Sequence, residues 1–466
     1  MIAYPTFRLH LHRLFSNDPA LDAIPLETIL DAIPTADQLR DLGPGTVVLL
    51  RCDLDMPIQG HRVADLARIK ANSQTIRYCV TQGWRVVIFG HLGRDKTVSV
   101  RPVCQAYSSE IGQEIELIPD WLVDDTTQLR DDVVARVGNA PPGSVFMLEN
   151  TRTYAIEQAM WTATNDTFDS LAAGMYNLAR DVTTRLSDVE INEAMAASNF
   201  DFSSSVLPLV MRATGLGFYI SEELKTHIKG ARRATMIVIS GLKINKLDDL
   251  EQILLRGTLG VVIAAGSLAM ALKKAEAQDR GVAFHIGRAE TDTAADFYVS
   301  PKRLEQARRI VRACKTQGVR LVLPADFVLD TEDVAKIIPP DRIQLDIGPK
   351  TRALIADTIE RYVSDSQRSN QSAVMFYNGV FGRFEDSRYE AGTREFISHL
   401  RDMTRAGVLT YVGGGEGRLA LLKYGSLSDV THAFTAGGTI LKCLSDKHVK
   451  FLKAMYLQNT SHASGL

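Results

Sequence analysis

The chain has 466 residues, of which 45% are hydrophobic and 23% charged, and its formal net charge is −2. This length exceeds one ordinary core and predicts at least two domains of a soluble globular protein. The nearly neutral charge excludes a global basic field, so we expect neither a nucleic-acid partner nor a membrane partner. The five cysteines are scattered and form no CxxC pair, which favours reduced thiols in the cytoplasm and argues against a zinc site.

Short, continuously apolar runs alternate with helical patterns along the chain, which is typical of strands covered on both faces of a parallel sheet. The first half contains predicted strands at residues 46–52, 84–90, 114–118, 145–148 and 189–192. The second half contains predicted strands at residues 235–240, 260–265, 320–324, 343–348, 373–379 and 409–415. Residues 215–230 read as a helix with no strand close by.

Because the strand–helix pattern runs twice, we predict an α/β protein with two doubly wound parallel-sheet lobes joined by a helix. The predicted segments are an N-terminal extension 1–44, a first, anion-binding lobe 45–214, a connecting helix 215–232, a second, nucleotide-binding lobe 233–430 and a C-terminal segment 431–466. We expect the last segment to return to the first lobe.

Ligands of open parallel sheets bind beyond the carboxyl ends of the strands. Polar residues at those positions in the first half are Asp53, Asp55, His91, Arg94, Arg152 and Asn192. In the second half, the corresponding positions are Lys243, Asp326 and the glycine-containing segments 348–351, 378–382 and 413–417. This pattern predicts a small-anion site in one lobe and a phosphate cradle with a metal in the other.

Each of these residues also has a structural interpretation of about equal weight. His91 could be a turn residue, and Arg152 could pair with Glu149. Asp326 and Asp346 could cap the helices that follow them. Residues 415–420 also fit the pattern GxGxxA of dinucleotide-binding oxidoreductases, although we expect no NAD binding.

Nine motifs in order, from about residue 45 to residue 455, resemble those of the phosphoglycerate kinase family. They include RCDLDMP (51–57), GHLGR (90–94), MLENTR (147–152), LPADFVL (323–329), LDIGPKT (345–351), YNGVFGRFE (377–385), GGGEG (413–417) and TAGG (435–438). The resemblance implies a monomer whose two lobes close over a cleft. It also implies phosphoryl transfer between Mg²⁺-bound ATP or ADP and the carboxylate of a small molecule, 3-phosphoglycerate in the family.

Matching positions imply roles for individual residues. The implied substrate contacts are Asp53, Asp55, Arg68, His91, Arg94 and Arg152, and the implied catalytic residues are Arg68 and Lys243. The implied nucleotide-binding residues are Gly241, Lys243, Asn378, Gly382, Glu385, Gly413, Gly414, Gly415 and Glu416, of which Glu416 would bind Mg²⁺. A carboxylate acceptor is already ionised, so the chemistry requires positioning and charge neutralisation and no general base.

Several positions depart from the family pattern on both sides of the predicted site. On the substrate side, Asp55 replaces an asparagine, Phe200 replaces a substrate-binding arginine, and Asn199 and Phe202 replace two histidines. On the nucleotide side, Leu247 replaces a lysine, Glu416 replaces the metal-binding aspartate and Gly417 replaces a threonine. Lys246 is adjacent to Leu247, yet a shift of one residue on a helix turns a side chain by about 100°.

These departures leave three functions open. The first is an active kinase with an altered carboxylate substrate that carries less negative charge or an apolar part. The second is a genuine but divergent phosphoglycerate kinase. The third is a catalytically inactive relative that binds a ligand or partner, and the retention of Arg68 and Lys243 argues against it.

Overall fold

The computed structural model describes residues 2–60, 62–64, 66–93, 95–123, 127–195, 199–369, 372–435, 438–445 and 449–463. The chain forms two compact units. Unit 1 comprises Met1–Thr226 and Lys447–Leu466, and unit 2 comprises His227–Asp446. Residues 1–44 and the C-terminal residues from 447 onward therefore belong to the same unit as the first predicted lobe.

Unit 1 is built on a parallel sheet. Its strands are β1 (Val47–Cys52), β2 (Ile58–Gln59), β3 (Arg62–Val63), β4 (Arg85–Phe89), β5 (Ile115–Ile118), β6 (Val145–Leu148), β7 (Val189–Glu193) and β8 (Ala213–Leu216). Six of them form the sheet in the order β5-β6-β4-β1-β7-β8, and every neighbouring pair is parallel. The short strands β2 and β3 form a separate antiparallel hairpin.

Alternate residues of the central strands of unit 1 contribute to two different cores. In β1, Leu49 belongs to the hydrophobic core that also contains residues of the N-terminal helix, whereas Val48 and Leu50 belong to a second core. The alternation follows from the two-residue period of a strand, and apolar residues on both faces produce the continuous apolar runs of the sequence.

Helices cover both faces of this sheet. They are α1 (Tyr4–Phe15), α2 (Pro19–Asp22), α3 (Leu26–Asp31), α4 (Ala67–Thr81), α5 (Arg101–Ile111), α6 (Asp131–Asn139), α7 (Asn165–Arg185) and α8 (Phe218–Ser221). Helix α1 buries Phe7, Leu11 and Leu14, so the N-terminal residues supply part of the core. The helix Lys450–Ala463 contributes Ala454 and Leu457 to the same core.

The segment predicted as a connecting helix begins with a strand, and the prediction of no strand there is wrong. Strand β8 pairs in parallel with β7, so that Gly215 lies beside Ile191. A Cβ atom at Gly215 would lie only 3.1 Å from the carbonyl oxygen of Pro34. A glycine suits this close backbone approach, but it removes the apolar signal by which an edge strand is recognised. A π-helical segment, Glu222–Ile228, follows α8.

Unit 2 contains a second parallel sheet. Its strands are β9 (Met236–Ile239), β10 (Val261–Ala264), β11 (Arg320–Val322), β12 (Phe327–Leu329), β13 (Val334–Ala335), β14 (Gln344–Ile347), β15 (Val374–Asn378), β16 (Leu409–Gly413) and β17 (His432–Ala433). The parallel sheet has the order β11-β10-β9-β15-β16-β17. The predicted strand 343–348 forms as β14, but it pairs antiparallel with β12 in a small separate sheet.

The helices of unit 2 alternate with its strands. They are α9 (Lys229–Ala231), α10 (Lys246–Leu255), α11 (Gly266–Asp279), α12 (Pro301–Thr316), α13 (Pro349–Ser369), α14 (Ala391–Arg405), α15 (Gly415–Tyr424) and α16 (Gly438–Leu444). The last helix of the chain, Lys450–Ala463, is α17 and belongs to unit 1. The two parallel sheets confirm the predicted α/β class and its two lobes. Among the described residues, no helix has both the length and the apolar character needed to cross a membrane.

Candidate active site

The ends of the central strands of unit 1 bring the predicted anion-site residues together. Strands β4, β1 and β7 are neighbours, and Asp53 follows β1 while His91 follows β4. A Cβ atom at Gly90 would lie 2.5 Å from the carbonyl oxygen of Cys52, so only a glycine permits this separation of the two strand ends.

Arg68 binds both acidic residues of the stretch that follows β1. Its Nη1 donates to Oδ1 of Asp53 at 3.3 Å and to the backbone oxygen of Asp55. Burial raises the pKa of Asp53, and the charges of Arg68 and Arg51 oppose that increase. The carboxylate of Asp55 accepts the backbone N–H of Gly93 at 2.9 Å. The carboxylate of Asp55 therefore holds the loop that follows β4.

His91 is a neutral hydrogen-bonding group. Its Nδ1 lies 3.0 Å from Nη2 of Arg51, and a guanidinium has only donors, so Nδ1 accepts and Nε2 carries the proton. Burial, with the charges of Arg51 and Arg152, lowers the pKa of His91 to about 2. His91 can therefore offer a substrate one N–H donor, but it adds no positive charge at physiological pH.

Arg152 lies in a short 3-10 helix after β6, where the side chain of Asn150 caps the first turn. Its Nη1 donates to the carbonyl oxygen of Gly93 at 2.6 Å, and its guanidinium carbon lies 5.2 Å from the centroid of the Trp161 ring. Its Nε is buried and has no hydrogen-bond partner among the described residues. Arg94, the remaining predicted contact, lies outside the described residues.

The alternative pairing of Arg152 with Glu149 receives no support from the contacts of that carboxylate. Oε2 of Glu149 accepts the hydroxyl of Ser99, and Oε1 accepts the backbone N–H of Val100, both at the start of α5. Glu149 therefore anchors the loop that leads into this helix.

The sequence patterns did not predict a buried hydrogen-bond network that lies next to these residues. The side chain of Arg51 is fully buried, and its Nε donates to the hydroxyl of Ser203. Glu157 accepts that hydroxyl at 2.6 Å and the backbone N–H of Ser203 at 3.0 Å. Oδ1 of Asp201 accepts the indole N–H of Trp161 at 2.9 Å. Arginine inside an otherwise apolar strand is the one sequence signal that could have revealed this network.

Acceptor atoms of His91, Glu157 and Asp201 lie within 4.8 Å of one another, which is compact enough for a metal ion. Arg51 already supplies a cation here, because its guanidinium binds Nδ1 of His91. A metal on Nε2 would move the imidazole proton to Nδ1, where it would face a group that can only donate. The donor set therefore does not fit a metal, and Arg51 provides the positive charge.

Unit 2 contains a cavity of about 510 Å³ at the ends of its parallel strands. Its lining comprises Gly241, Leu242, Gly266, Ile343, Gln344, Leu345, Val380, Phe381, Gly382, Arg383, Glu385 and Glu416. Four predicted nucleotide-binding residues, Gly241, Gly382, Glu385 and Glu416, thus share one cavity. Lys243 is exposed and does not belong to this lining.

The remaining predicted glycines and Asn378 shape the strand ends beside the cavity. Nδ2 of Asn378 donates to the carbonyl oxygen of Gly413 at 2.9 Å, which ties the end of β15 to the end of β16. Gly414, with φ of 95°, is the N-cap of α15, and Gly415 is the first residue of that helix. The left-handed backbone at Gly414 favours glycine and directs the start of α15.

Lys246 lies beside Gly241 of the cavity lining, a position that the resemblance to the family did not predict. Its Nζ donates to the carbonyl oxygen of Ser240 and would lie 3.0 Å from a Cβ atom at either Gly241 or Gly379. Burial lowers the pKa of Lys246 to about 8, with the charge of Glu416 opposing that decrease. Leu247, the position aligned with the family lysine, is fully buried in the core.

Lys246 and Leu247 are the first two residues of α10, and their side chains point in different directions, as the rotation of about 100° per residue requires. Leu247 is buried in the core, whereas the Lys246 ammonium lies at the ends of β9 and β15, beside Gly241 and Gly379.

Asp326 caps the helix that follows it, in agreement with the structural interpretation given above. It accepts the backbone N–H groups of Lys350 and Thr351 in the first turn of α13. Asp346 differs from that interpretation, because it accepts the backbone N–H of Gly392 in the first turn of α14, a helix later in the chain than α13, the next one.

A cavity whose lining includes three glycines, with an ammonium beside one of them, suits a polyphosphate, and arginines near strand ends suit a small anion. Together these features indicate a phosphotransferase. The family model for phosphoglycerate kinase matches residues 39–447, and the chain belongs to this family. Membership in the family supports a kinase that uses ATP.

Individual relatives agree with this assignment, and solved structures share the fold. The chain is 27% identical over 432 residues to a phosphoglycerate kinase of Chloroherpeton thalassium, covering 88% of this chain and 96% of that relative. It is 27% identical over 423 residues to the cytosolic phosphoglycerate kinase of Triticum aestivum, covering 86% and 93%. The phosphoglycerate kinase structure from Coxiella burnetii superposes with a TM-score of 0.68 at 22% identity, covering 92% of this chain and 100% of that chain. The one from Pyrococcus horikoshii OT3 gives 0.68 at 21% identity, covering 91% and 99%.

Proposed function

We propose that the protein transfers a phosphoryl group between ATP and the carboxylate of a small molecule, which yields an acyl phosphate. The observation that carries the proposal is the cavity of unit 2, whose lining includes Gly241, Gly266 and Gly382, together with the Lys246 ammonium, which lies beside Gly241. Backbone N–H groups at glycine-rich turns and an ammonium are the groups that stabilise charge on phosphoryl oxygens.

The acceptor carboxylate would bind Arg68. The side chain of Arg68 is 27% exposed, and Asp53 and the Asp55 carbonyl oxygen hold its Nη1, which leaves the guanidinium with further donors for a ligand. A guanidinium fork suits a carboxylate, and a carboxylate needs no base to attack phosphorus. Catalysis would then consist of positioning the two reactants and neutralising charge on the transferring oxygens.

The carboxylates of the cavity in unit 2 fit Mg²⁺. Mg²⁺ prefers oxygen ligands and usually binds through one or two carboxylates together with substrate phosphates and water. Glu416 is exposed in the first turn of α15, and its Oε2 would lie 3.5 Å from a Cβ atom at Gly241. Glu416 would hold the ion, which would supply positive charge to the nucleotide phosphates.

The test is phosphoryl transfer from Mg-ATP to a panel of carboxylates that includes 3-phosphoglycerate, with hydroxylamine to trap the acyl phosphate. Arg68→Ala should abolish turnover. Arg77→Ala is the matched control, because Arg77 lies near the other end of α4 and pairs with Glu110. Turnover with 3-phosphoglycerate would identify a genuine phosphoglycerate kinase. Nucleotide binding without turnover of any carboxylate would refute the proposal and favour an inactive relative.

A further inference from the structure

The two ends of the anion site in unit 1 are joined by a short series of hydrogen bonds. Arg68 binds the backbone of Asp55, the carboxylate of Asp55 accepts the N–H of Gly93, and the carbonyl oxygen of Gly93 accepts Nη1 of Arg152. Arg68 therefore lies at one end of a connected surface, and Arg152, with His91 and Asp201 near it, lies at the other.

The end of the site at Arg152 carries one buried donor and one buried acceptor that have no hydrogen-bond partner among the described residues. Nε of Arg152 and Oδ2 of Asp201 are buried, and no group in the described part of the chain bonds to either atom. His91 presents its Nε2–H in the same cluster. Buried polar atoms without partners are rare in folded proteins, and here they indicate a ligand group that both donates and accepts.

Groups of opposite charge face each other at this end among the described residues. The guanidinium groups of Arg51 and Arg152 lie near the carboxyl groups of Glu157 and Asp201, and their charges oppose the increase in pKa that burial causes in both carboxyl groups. A third carboxyl group, that of Glu190, is buried, neither of its oxygens has a hydrogen-bond partner in the described part of the chain, and burial raises its pKa well above the ordinary range. A phosphate placed at Arg152 would therefore meet the carboxyl group of Asp201, whose ionised form would repel it.

The sequence around Asp201 departs from the family pattern at this end of the site. Phe200 stands where the family has a substrate-binding arginine, and its side chain packs in a hydrophobic core instead of supplying charge. Asp201 itself stands where the family motif has an alanine. One cation is thus lost and one carboxyl gained at the same end of the site.

We propose that the acceptor is a hydroxycarboxylate without a phosphate group, whose remote hydroxyl donates to Oδ2 of Asp201 and accepts from Arg152 or His91. Asp201 is then the residue that determines this specificity. The inference rests on the proposed function for the carboxylate end, while its own evidence is the unpaired atoms at the remote end.

The test compares glycerate with 3-phosphoglycerate, two carboxylates that differ only in the phosphate. Titration calorimetry of each compound against the full-length protein tests the inference by binding alone, and turnover with Mg-ATP separately tests the proposed function. We expect glycerate to bind at least tenfold more tightly than 3-phosphoglycerate. Equal or tighter binding of 3-phosphoglycerate, or no binding of glycerate, would overturn the inference.

The variant Asp201→Asn removes the carboxylate charge and keeps an oxygen for the Trp161 indole. It should shift the ratio of the two affinities at least tenfold towards 3-phosphoglycerate, which a loss of general stability would not do. Asp188→Asn, at a surface pair with Arg212, is the control and should leave the ratio unchanged. An unchanged ratio in Asp201→Asn would also overturn the inference, and the comparison in the unaltered protein decides it if this variant does not fold.

Discussion

Replacing Lys246 with methionine should make the protein more stable and less active. The pKa of Lys246 is lowered from its ordinary 10.5 to about 8 by burial, which corresponds to about 3 kcal/mol against the buried ammonium. Methionine keeps the length of the side chain and removes the charge. It also leaves the carbonyl oxygen of Ser240 without the bond from Nζ, at a cost of about 1 kcal/mol.

The balance of these two contributions is a gain of about 2 kcal/mol in the free energy of unfolding at pH 7. For a unit of this size, the gain would raise the thermal midpoint by about 4–8 °C. The gain should be complete below pH 8 and fade as the pH rises towards 10.5, because folded Lys246 then loses its proton while the unfolded chain keeps it.

Activity should change in the opposite direction. A charge-assisted contact with a phosphate contributes about 1.5–3 kcal/mol, so its loss should lower kcat/KM for ATP by about 10- to 150-fold. Exchanging stability for activity in this way is expected of a charge buried for function. The assays are thermal unfolding without ligand and steady-state kinetics with Mg-ATP.

Lys302→Met is the matched control, since Lys302 is an exposed lysine of unit 2 in the first turn of α12. It should change neither the midpoint nor kcat/KM. A Lys246→Met variant with kcat/KM within twofold of the unaltered protein would show that the ammonium does not contact the nucleotide. A lowered midpoint would show that burial of the ammonium is not destabilising.

Three further predictions concern Lys246, Gly379 and His91. Nucleotide affinity, measured by titration calorimetry, should fall above pH 8, because Lys246 has then lost its proton and must take one up before its ammonium can bind the phosphates. The affinity of Lys246→Met should not fall with pH in this way. A decrease of the same size in the variant would contradict the role assigned to Lys246. Gly379→Ala should destabilise the protein by several kcal/mol in denaturant unfolding, because its Cβ atom would lie 2.1 Å from the carbonyl oxygen of Ser240. Gly407→Ala is the control. Gly407 has a similar φ of 91° and its Cβ atom would meet no atom within 4 Å, so this substitution should cost only about 1–2 kcal/mol. Long-range ¹H–¹⁵N NMR should find His91 neutral with its proton on Nε2 throughout pH 5.5–8, and a titration in that interval would show that its environment is not the one described.

The predicted fold was recoverable from the sequence wherever strands are buried on both faces. Runs such as residues 46–52 and 145–148 contain apolar residues at consecutive positions, because each face of the sheet packs against its own core. The edge strands β8 and β17 were missed, since one contains a glycine needed for close approach and the other has only two residues. Strand β14 was located correctly, but its antiparallel partner β12 could be identified only in the folded chain.

The sequence by itself determined the class of the protein, the strand ends that carry Asp53 and His91, and the family to which their motifs are similar. Only the tertiary structure decided which of the side chains at these strand ends carry a charge. Arg51 contacts His91 and Ser203, 40 and 152 residues away, its charge opposes the increase in pKa of the buried Glu157 and Asp201, and burial keeps His91 uncharged. The Lys246 ammonium lies beside Gly241 of the cavity, where it donates to the carbonyl oxygen of Ser240. Protonation and hydrogen bonding depend on burial and on distant partners, which local sequence patterns do not contain.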